Sequence, residues 1–341
     1  MKKGKITIHD ISKELGINSS TVSRALNNSS RVTQKTKDKI LKKATELGYQ
    51  RNSLASKLRT NKTNTIGVIV PRISRQFFSS VISGIEETAY DAGYDVIICQ
   101  SLDNLEREKK LIETLLSNRV DGILISVSTQ TLGKDDFNNC KQNETPIIFF
   151  DRPYNVEENT NVIIDDFKAG FEATEHLIVN GCKNIVHFSG PQNSELYKRR
   201  KNGYIAALKK YNLTVDSNYI IASNLMKCDG IENAKKILDL SKVDAVFSAN
   251  DVAAISAMLY LKERGVKIPD DIKFVGFSNE QISSVIEPSL STISQSDFKM
   301  GTVASSLLFE QIEHKTIFKK GYTKILEPKL IIRNSSQKSA I

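Results

Sequence analysis

The chain has 341 residues, 40% of them apolar and 26% charged, with a formal net charge of +9. That is enough for about two domains with cores of their own, and it excludes a disulfide-stapled miniature, a fibrous repeat and a disordered chain. Residues 1–63 hold 15 Lys and Arg against 4 Asp and Glu, while the remainder is near neutral at 33 against 35, so a small basic module suited to a polyanion precedes a neutral body.

Within the module, Ile8 to Leu15 is an amphipathic stretch with Ile8, Ile11 and Leu15 on one face and Asp10 in the first turn, stopped by Gly16. Asn18 and Ser19 are helix N-cap types. The segment they open buries Val22, Ala25 and Leu26, sets Ser19, Ser20, Ser23 and Arg24 on or near the opposite face, and ends at Asn27-Asn28-Ser29-Ser30. A third segment runs from a Thr33 cap to about Leu47, with Lys35, Lys37, Lys39, Lys42 and Lys43 supplying charge and Gly48 closing it. Two short helices joined by a Gly turn, with a third as support, describe a helix-turn-helix domain. Its second helix must offer side chains that reach base edges, and Ser19, Ser20 and Arg24 do so. Arg24 can hold a guanine edge bidentately, worth about 1–3 kcal/mol of discrimination. The alternative is that these are cap residues and a solvated Arg.

The run Thr7-Ile-His-Asp-Ile-Ser-Lys-Glu-Leu-Gly-Ile-Asn-Ser-Ser-Thr-Val-Ser-Arg-Ala-Leu-Asn27, with Val32-Thr and Leu47-Gly-Tyr-Gln-Arg-Asn52, resembles the N-terminal signature of the LacI family of bacterial transcription regulators. The resemblance implies that Ser19, Ser20 and Arg24 read the major groove while Thr7, Ser23 and Asn27 lie near the DNA backbone. It also implies a symmetric homodimer on a pseudo-palindromic, double-stranded operator. Ser53 to Arg59, followed by the polar linker Thr60 to Asn64, is too short to be a stable helix alone. By resemblance it is a hinge helix that folds on the operator, with Leu58 as an apolar wedge in the minor groove and Arg59 beside it. A flexible linker is the alternative.

From Thr65 onward β-branched runs alternate with helical stretches. Strands are expected at Thr65 to Val70, Asp95 to Cys99, Gly122 to Ser126, Pro146 to Phe150, Asn184 to Ser189, Ala245 to Ser248 and Lys273 to Phe277. Helices are expected at Phe78 to Ala92, Leu105 to Leu116, Phe167 to Val179, Lys201 to Tyr211, Ala253 to Arg264 and Asp297 to Ile312. This alternation predicts an α/β fold of parallel sheets flanked by helices, and roughly ten strands favour two lobes over one sheet. Ligands in such sheets bind beyond the carboxyl ends of strands, in loops that here mix aromatics with carboxylate, amide and guanidinium groups, a lining suited to a polyhydroxylated ring.

The body also resembles the LacI effector core, itself similar to periplasmic sugar-binding proteins that close two lobes on a ligand. By position the resemblance assigns Phe77, Phe78, Asp151, Arg200, Asn250 and Asp251 to a small-molecule effector site. It departs from the family where Ser278 replaces an acidic residue and where Ser194 and Leu225 replace larger contacts, which brings Asn279, Glu280 and Gln192 into consideration. The domain expectation is a headpiece at 1–51, a hinge at 52–64, a core at 65–333 and a polar tail at 334–341. Within the core, an N-lobe comprises about 65–164 and 295–325, and a C-lobe about 165–294 and 326–333.

Enzyme motifs are missing: no strand is followed by a Gly-rich phosphate loop, and no G-x-S-x-G elbow occurs. His9, His176, His187 and His314 show no metal spacing, and Cys99, Cys140, Cys182 and Cys228 form no C-x-x-C pair, so neither a catalytic residue, a metal nor a cofactor is expected. No apolar run approaches the roughly 20 residues that span a bilayer. Lys2, Lys3 and Lys5 precede a stretch too polar for a signal peptide, so a cytoplasmic protein is expected. The resemblance favours a sugar or glycan fragment as effector, with a nucleobase or sugar phosphate as alternatives. A soluble sugar-binding receptor without a DNA role is the competing reading.

Overall fold

The computed structural model describes residues 6–49, 62–131, 133, 137–240, 242–314 and 321–337, so the expected hinge, with Leu58 and Arg59, lies outside the described residues. Contacts divide the chain between Thr63 and Asn64 into two compact units.

The first unit contains α1 (Ile8–Leu15), α2 (Ser19–Leu26) and α3 (Gln34–Glu46). Each boundary has a local cause. The Thr7 backbone N–H and hydroxyl both donate to Asp10 Oδ2, at 2.8 and 2.7 Å, and Gly16 turns the chain out of α1 at a left-handed φ of 64°. Asn18 Oδ1 accepts the Ser20 N–H at 2.9 Å to open α2. Ile11, Val22, Ala25, Val32, Ile40 and Ala44 make the core between the three helices. Lys37 departs from the expected solvated charge: it is buried, and its ammonium donates to Asn28 Oδ1 at 2.7 Å and closes the α2–α3 turn.

The second unit begins β1 (Thr65–Val70), α4 (Gln76–Asp91), β2 (Asp95–Gln100), α5 (Leu105–Ser117), β3 (Gly122–Ile125), α6 (Asn138–Gln142), β4 (Ile147–Phe150) and β5 (Thr160–Ile164). It continues α7 (Asp166–Val179), β6 (Ile185–Ser189), α8 (Glu195–Lys210), β7 (Ile220–Ala222), α9 (Lys227–Asp239), β8 (Ala245–Ser248), α10 (Asp251–Lys262), β9 (Lys273–Phe277), α11 (Ile282–Val285) and β10 (Ser291–Ser294). It closes with α12 (Asp297–His314), β11 (Tyr322–Leu326) and β12 (Lys329–Ile331).

Among the described residues the strands form two six-stranded sheets, ordered β11-β5-β4-β3-β1-β2 and β12-β10-β9-β8-β6-β7. Every pairing is parallel except β10 with β12. The central strands β1, β3 and β4 are buried with no alternation, as expected where helices cover both faces of a parallel sheet. The chain passes between sheets after β5, after β10 and after β11, so each lobe is assembled from separated stretches of sequence. Helix α12 follows β10 of the second sheet but packs on α4 of the first, and α7 follows β5 of the first but packs on α8 of the second. The α7–α8 crossing is close because Gly170 and Gly203 face each other's helix: a Cβ on Gly170 would stand 2.2 Å from the Arg200 carbonyl oxygen.

The stretch read as the start of a polar tail is part of the second lobe. Ser335 and Ser336 are fully buried. Ser335 Oγ donates to the Phe274 carbonyl at 2.7 Å, and the Ser336 hydroxyl lies 2.7 Å from His176 Nε2 and 2.6 Å from Ser291 Oγ. These polar residues sit inside because each finds a partner there.

Candidate nucleic-acid interface and ligand cleft

The geometry of α2 sorts the residues expected to meet DNA. Arg24 and Ser20 are exposed, and their spacing of four puts them on one helix face. Ser19 is half-buried: its hydroxyl donates to Ser12 Oγ at 3.1 Å and lies 3.1 Å from His9 Nδ1, tying α2 to α1. Asn27 Nδ2 donates to the Ser23 carbonyl at 2.7 Å, and Thr7 is the cap of α1. Ser20 and Arg24 are therefore presented outward, while Thr7, Ser19, Ser23 and Asn27 also hold the headpiece together.

In the second unit the strand order reverses beside β1 in one sheet and beside β6 in the other, the positions where loops diverge and leave a crevice. A cavity of about 400 Å³ lies there. Its lining follows the carboxyl ends of strands in both lobes: Pro71, Arg72, Arg75, Phe77 and Phe78 after β1, Asp103 after β2, Thr129 after β3, and Asp151 and Arg152 after β4. Pro191, Leu196, Tyr197 and Arg200 follow β6, Asn224 and Met226 follow β7, Asn250 follows β8, Ser278 and Glu280 follow β9, and Gln295 follows β10. A second cavity of about 210 Å³ adjoins it and shares Thr129, Arg152 and Leu196.

The sequence-predicted residues Phe77, Phe78, Asp151, Arg200, Asn250 and Ser278 meet in this cavity; Asp251 does not. Asp251 is fully buried behind the wall, where its Oδ1 accepts the Thr292 hydroxyl at 2.7 Å and its Oδ2 accepts the Glu280 N–H at 2.8 Å. Burial pushes its carboxyl up to about 7. Asn250 is the N-cap of α10 and Asp251 its first residue, and one helical step of about 100° turns the second side chain away from the cleft. Leu225 is buried too and reaches Asn250 only through its carbonyl, which accepts Nδ2 at 2.9 Å; Ser194 lines the smaller cavity.

Arg200 is 4% exposed and is held on every side. Its Nε donates to Asp166 Oδ1 at 2.8 Å, Nη1 to the Ala249 carbonyl at 2.9 Å and Nη2 to Gln295 Oε1 at 3.3 Å, and the guanidinium lies 3.5 Å from the Phe277 ring centroid. Asp166 and Gln295 flank two of the three passages between lobes, so Arg200 braces those passages as well as flooring the cavity. Burial pushes the Asp166 carboxyl up to about 6 against the pull of Arg200. Asp151 accepts the Ser126 hydroxyl at 3.0 Å, and burial raises its carboxyl as well. Arg152 Nη1 bonds Asp103 and the Val127 carbonyl. Arg72, Arg75, Tyr197 and Gln295 were not singled out by sequence reading. Gln192 donates to Ser189 Oγ and the Gly190 carbonyl, and Asn279 Oδ1 accepts from Arg333, so both are structural.

Among the described residues no group of His, Cys, Asp and Glu is arranged to hold a metal ion, and no helix is long and apolar enough to cross a membrane.

A three-helix headpiece with an exposed arginine on its second helix, and a two-lobed α/β core with a cleft at the strand ends, define a ligand-binding regulatory protein that carries a helix-turn-helix. Residues 7–52 match the family described as bacterial regulatory proteins, lacI family, and residues 63–328 match the periplasmic binding proteins and sugar binding domain of LacI family. The chain belongs to the LacI family: it is a transcription repressor that joins a DNA-binding headpiece to an effector-binding core, and not an enzyme. The receptor reading without a DNA role is set aside by the headpiece match. The chain is 33% identical over 339 residues to the HTH-type transcriptional repressor PurR of Mannheimia succiniciproducens, covering 98% of this chain and 99% of that one. It is similar to the lac repressor dimer bound to operator and the anti-inducer ONPF, with a TM-score of 0.86, 25% identity, and coverage of 97% and 99%. A periplasmic binding protein/LacI transcriptional regulator of Alkaliphilus metalliredigens complexed with D-xylulofuranose gives a TM-score of 0.71 at 31% identity over 81% of this chain and 100% of that one.

Proposed function

We propose that the protein acts as a homodimer on a pseudo-palindromic operator, and that a sugar or glycan fragment in the interlobe cleft controls its affinity for that DNA. The observation that carries this reading is the cavity itself, in which both lobes contribute strand-end residues to one lining of aromatic, amide, carboxylate and guanidinium groups. The smaller adjoining cavity, bordered by Ser128, Thr129, Thr131, Asn193 and Ser194, extends the cleft with hydroxyl and amide groups suited to a second ring. Support comes from two relatives, one solved as a dimer on operator and one with a ketopentose bound.

In this reading residues 1–51 are the headpiece, 52–64 the hinge, and 65–333 the core of two lobes, with residues 334–337 joined to the second. Ser20 and Arg24 read base edges, with Ser19 beside them; Thr7, Ser23 and Asn27 lie along the backbone; Leu58 wedges the minor groove and Arg59 follows it. A ligand that binds one lobe arrangement more tightly than the other shifts the dimer between operator-competent and operator-poor states by that difference in affinity.

The test is thermal unfolding of the full chain against monosaccharides, oligosaccharides, sugar phosphates and purines, followed by operator titration with and without each hit. A ligand of the native state at a hundredfold excess over its Kd adds about 2.7 kcal/mol of stability. A sugar that raises the midpoint and changes sequence-specific, salt-sensitive DNA binding supports the reading. A sugar that stabilises the protein with no effect on DNA binding, or a purine as the sole hit, refutes it.

A further inference from the structure

The hydrogen bonds that tie α2 to α1 fix where the protons of one histidine sit. Ser12 has a single hydroxyl proton, which goes to the Ile17 carbonyl at 2.6 Å, so towards Ser19 its oxygen can only accept, at 3.1 Å. That bond takes the Ser19 proton in turn, so Ser19 Oγ can only accept from His9 Nδ1, 3.1 Å away. Nδ1 of His9 therefore carries a hydrogen. Nε2 is the nitrogen whose state changes, a bare lone pair in the neutral ring and an N–H donor in the imidazolium. His9 is exposed, and among the described residues its Nε2 has no protein partner.

The ring stands at the end of α2 where bases are read. It contacts Ser19, the first residue of α2, one position before the outward-facing Ser20 and on the helix that also presents Arg24. In a helix-turn-helix the N-terminal end of the second helix meets base edges while the first helix crosses the phosphate backbone. A side chain of α1 that touches the start of α2 thus borders the phosphates beside those bases. The surrounding charges leave room for such a contact. From α2 the group facing the ring is the neutral Ser19, Lys43 of α3 meets α1 at Glu14, more than a turn beyond His9, and on α1 itself the nearest charges are Asp10 and Lys13. The Asp10 carboxyl is occupied by the Thr7 hydroxyl and N–H, which hold it below the usual carboxylate range. His9 is also the only histidine in residues 1–63; the other three belong to the core.

We propose that His9 is a phosphate contact of the headpiece, made only when its ring is doubly protonated, so that DNA binding takes up a proton at each headpiece. As an imidazolium the ring donates from Nδ1 to Ser19 and from Nε2 to a phosphate oxygen; as a neutral ring it turns a lone pair towards that oxygen and the contact is lost. Binding that favours the protonated ring strengthens as pH falls and weakens as it rises, and histidine is the side chain that changes charge between about pH 5 and 8. The inference rests on Ser20 and Arg24 forming the face that meets DNA.

The experiment titrates two fluorescently labelled duplexes with the full chain, one selected by the wild type from a randomised library and one of mixed sequence, over a salt series at about pH 6 and about pH 8. His9→Gln, His9→Lys and Arg24→Ala are compared with the wild type, and melting temperatures at both pH values confirm that each is folded. The ratio of wild-type to His9→Gln affinity is expected to fall by about threefold per headpiece from the lower pH to the higher, on both duplexes, the size of an exposed ion pair. The wild-type salt slope is expected to be steeper at the lower pH by about 0.9 per headpiece, while His9→Lys keeps the steep slope at both. A ratio that does not change with pH, or a His9→Lys slope as shallow as that of His9→Gln, overturns the inference. If Arg24→Ala alters base preference while the His9 variants behave as the wild type, the inference fails and the DNA-reading face stands. If neither residue affects binding, both fail.

Discussion

Replacing Arg200 with methionine tests the brace between the lobes. The substitution keeps the stem but removes the guanidinium, leaving Asp166, also 4% exposed, without its 2.8 Å partner and the Gln295 and Ala249 oxygens without donors. Breaking a buried ion pair from one side costs about 3–5 kcal/mol, because the remaining charge is stranded in a poorly solvated place. The loss has a pH signature. Asp166 already binds its proton more tightly in the folded chain, at about 6 against 3.8, so core stability falls as pH rises through that window. Without Arg200 the folded carboxyl climbs further, and the penalty continues to higher pH. Urea denaturation should therefore find the variant about 3–5 kcal/mol weaker than the wild type at about pH 7.5, with a much smaller deficit at about pH 5, where the carboxyl is protonated in both. Arg200→Met/Asp166→Asn should recover most of the deficit at the higher pH. Equal deficits at both pH values, or a double variant weaker than the single, would show that the cost is lost packing and that the stranded-charge argument is wrong.

Two further outcomes follow from the same geometry. Arg24→Ala should flatten base preference at one position of each half-site by about 1–3 kcal/mol while binding to random duplex falls only slightly; selection from a randomised operator library measures it, and an unchanged preferred base refutes the assignment. Asp251 is held at about 7 by burial, so the wild-type core loses stability as pH rises from about 4 toward 7. Asp251→Asn should reduce that slope at a cost of about 1–2 kcal/mol for one imperfect hydrogen bond, and an unaltered slope in urea titrations across that range would count against a buried, protonated carboxyl.

How much of this was legible depended on how local each signal was. Strands β1, β8 and β9 run between the residues that sequence reading gave, because buried parallel strands are continuous apolar runs with abrupt ends. Strands β5, β7, β10, β11 and β12 escaped it. Strand β7 has three residues, β10 is rich in Ser and Thr, and β11, at a sheet edge, leaves Tyr322 and Ile325 exposed. Helix α8 begins six residues before its expected start at Lys201, since Glu195 to Arg200 carries no apolar stripe. The headpiece was readable almost to the residue because caps and glycine stops are local chemistry. For the cleft, the loops were legible but the direction of each side chain was not. Asn250 and Asp251 are neighbours of similar chemistry on opposite sides of the wall, and only the packing of α10 against β9 and β10 distinguishes them.

The two sheets share one dependency on the order in which the chain is made. Strand β11 is an edge of the first and β12 an edge of the second, and both come after α12, with Ser335 and Ser336 following as buried plugs under β9 and β10. During synthesis the headpiece can fold as soon as it emerges, whereas neither lobe can be completed until residues 322–336 arrive. A chain cut short after α12 would thus keep a complete DNA-reading module attached to two sheets that each lack a border strand. Such a fragment exposes unpaired strand edges and is a target for degradation or aggregation, which couples the survival of the DNA-reading module to completion of the part that senses the ligand.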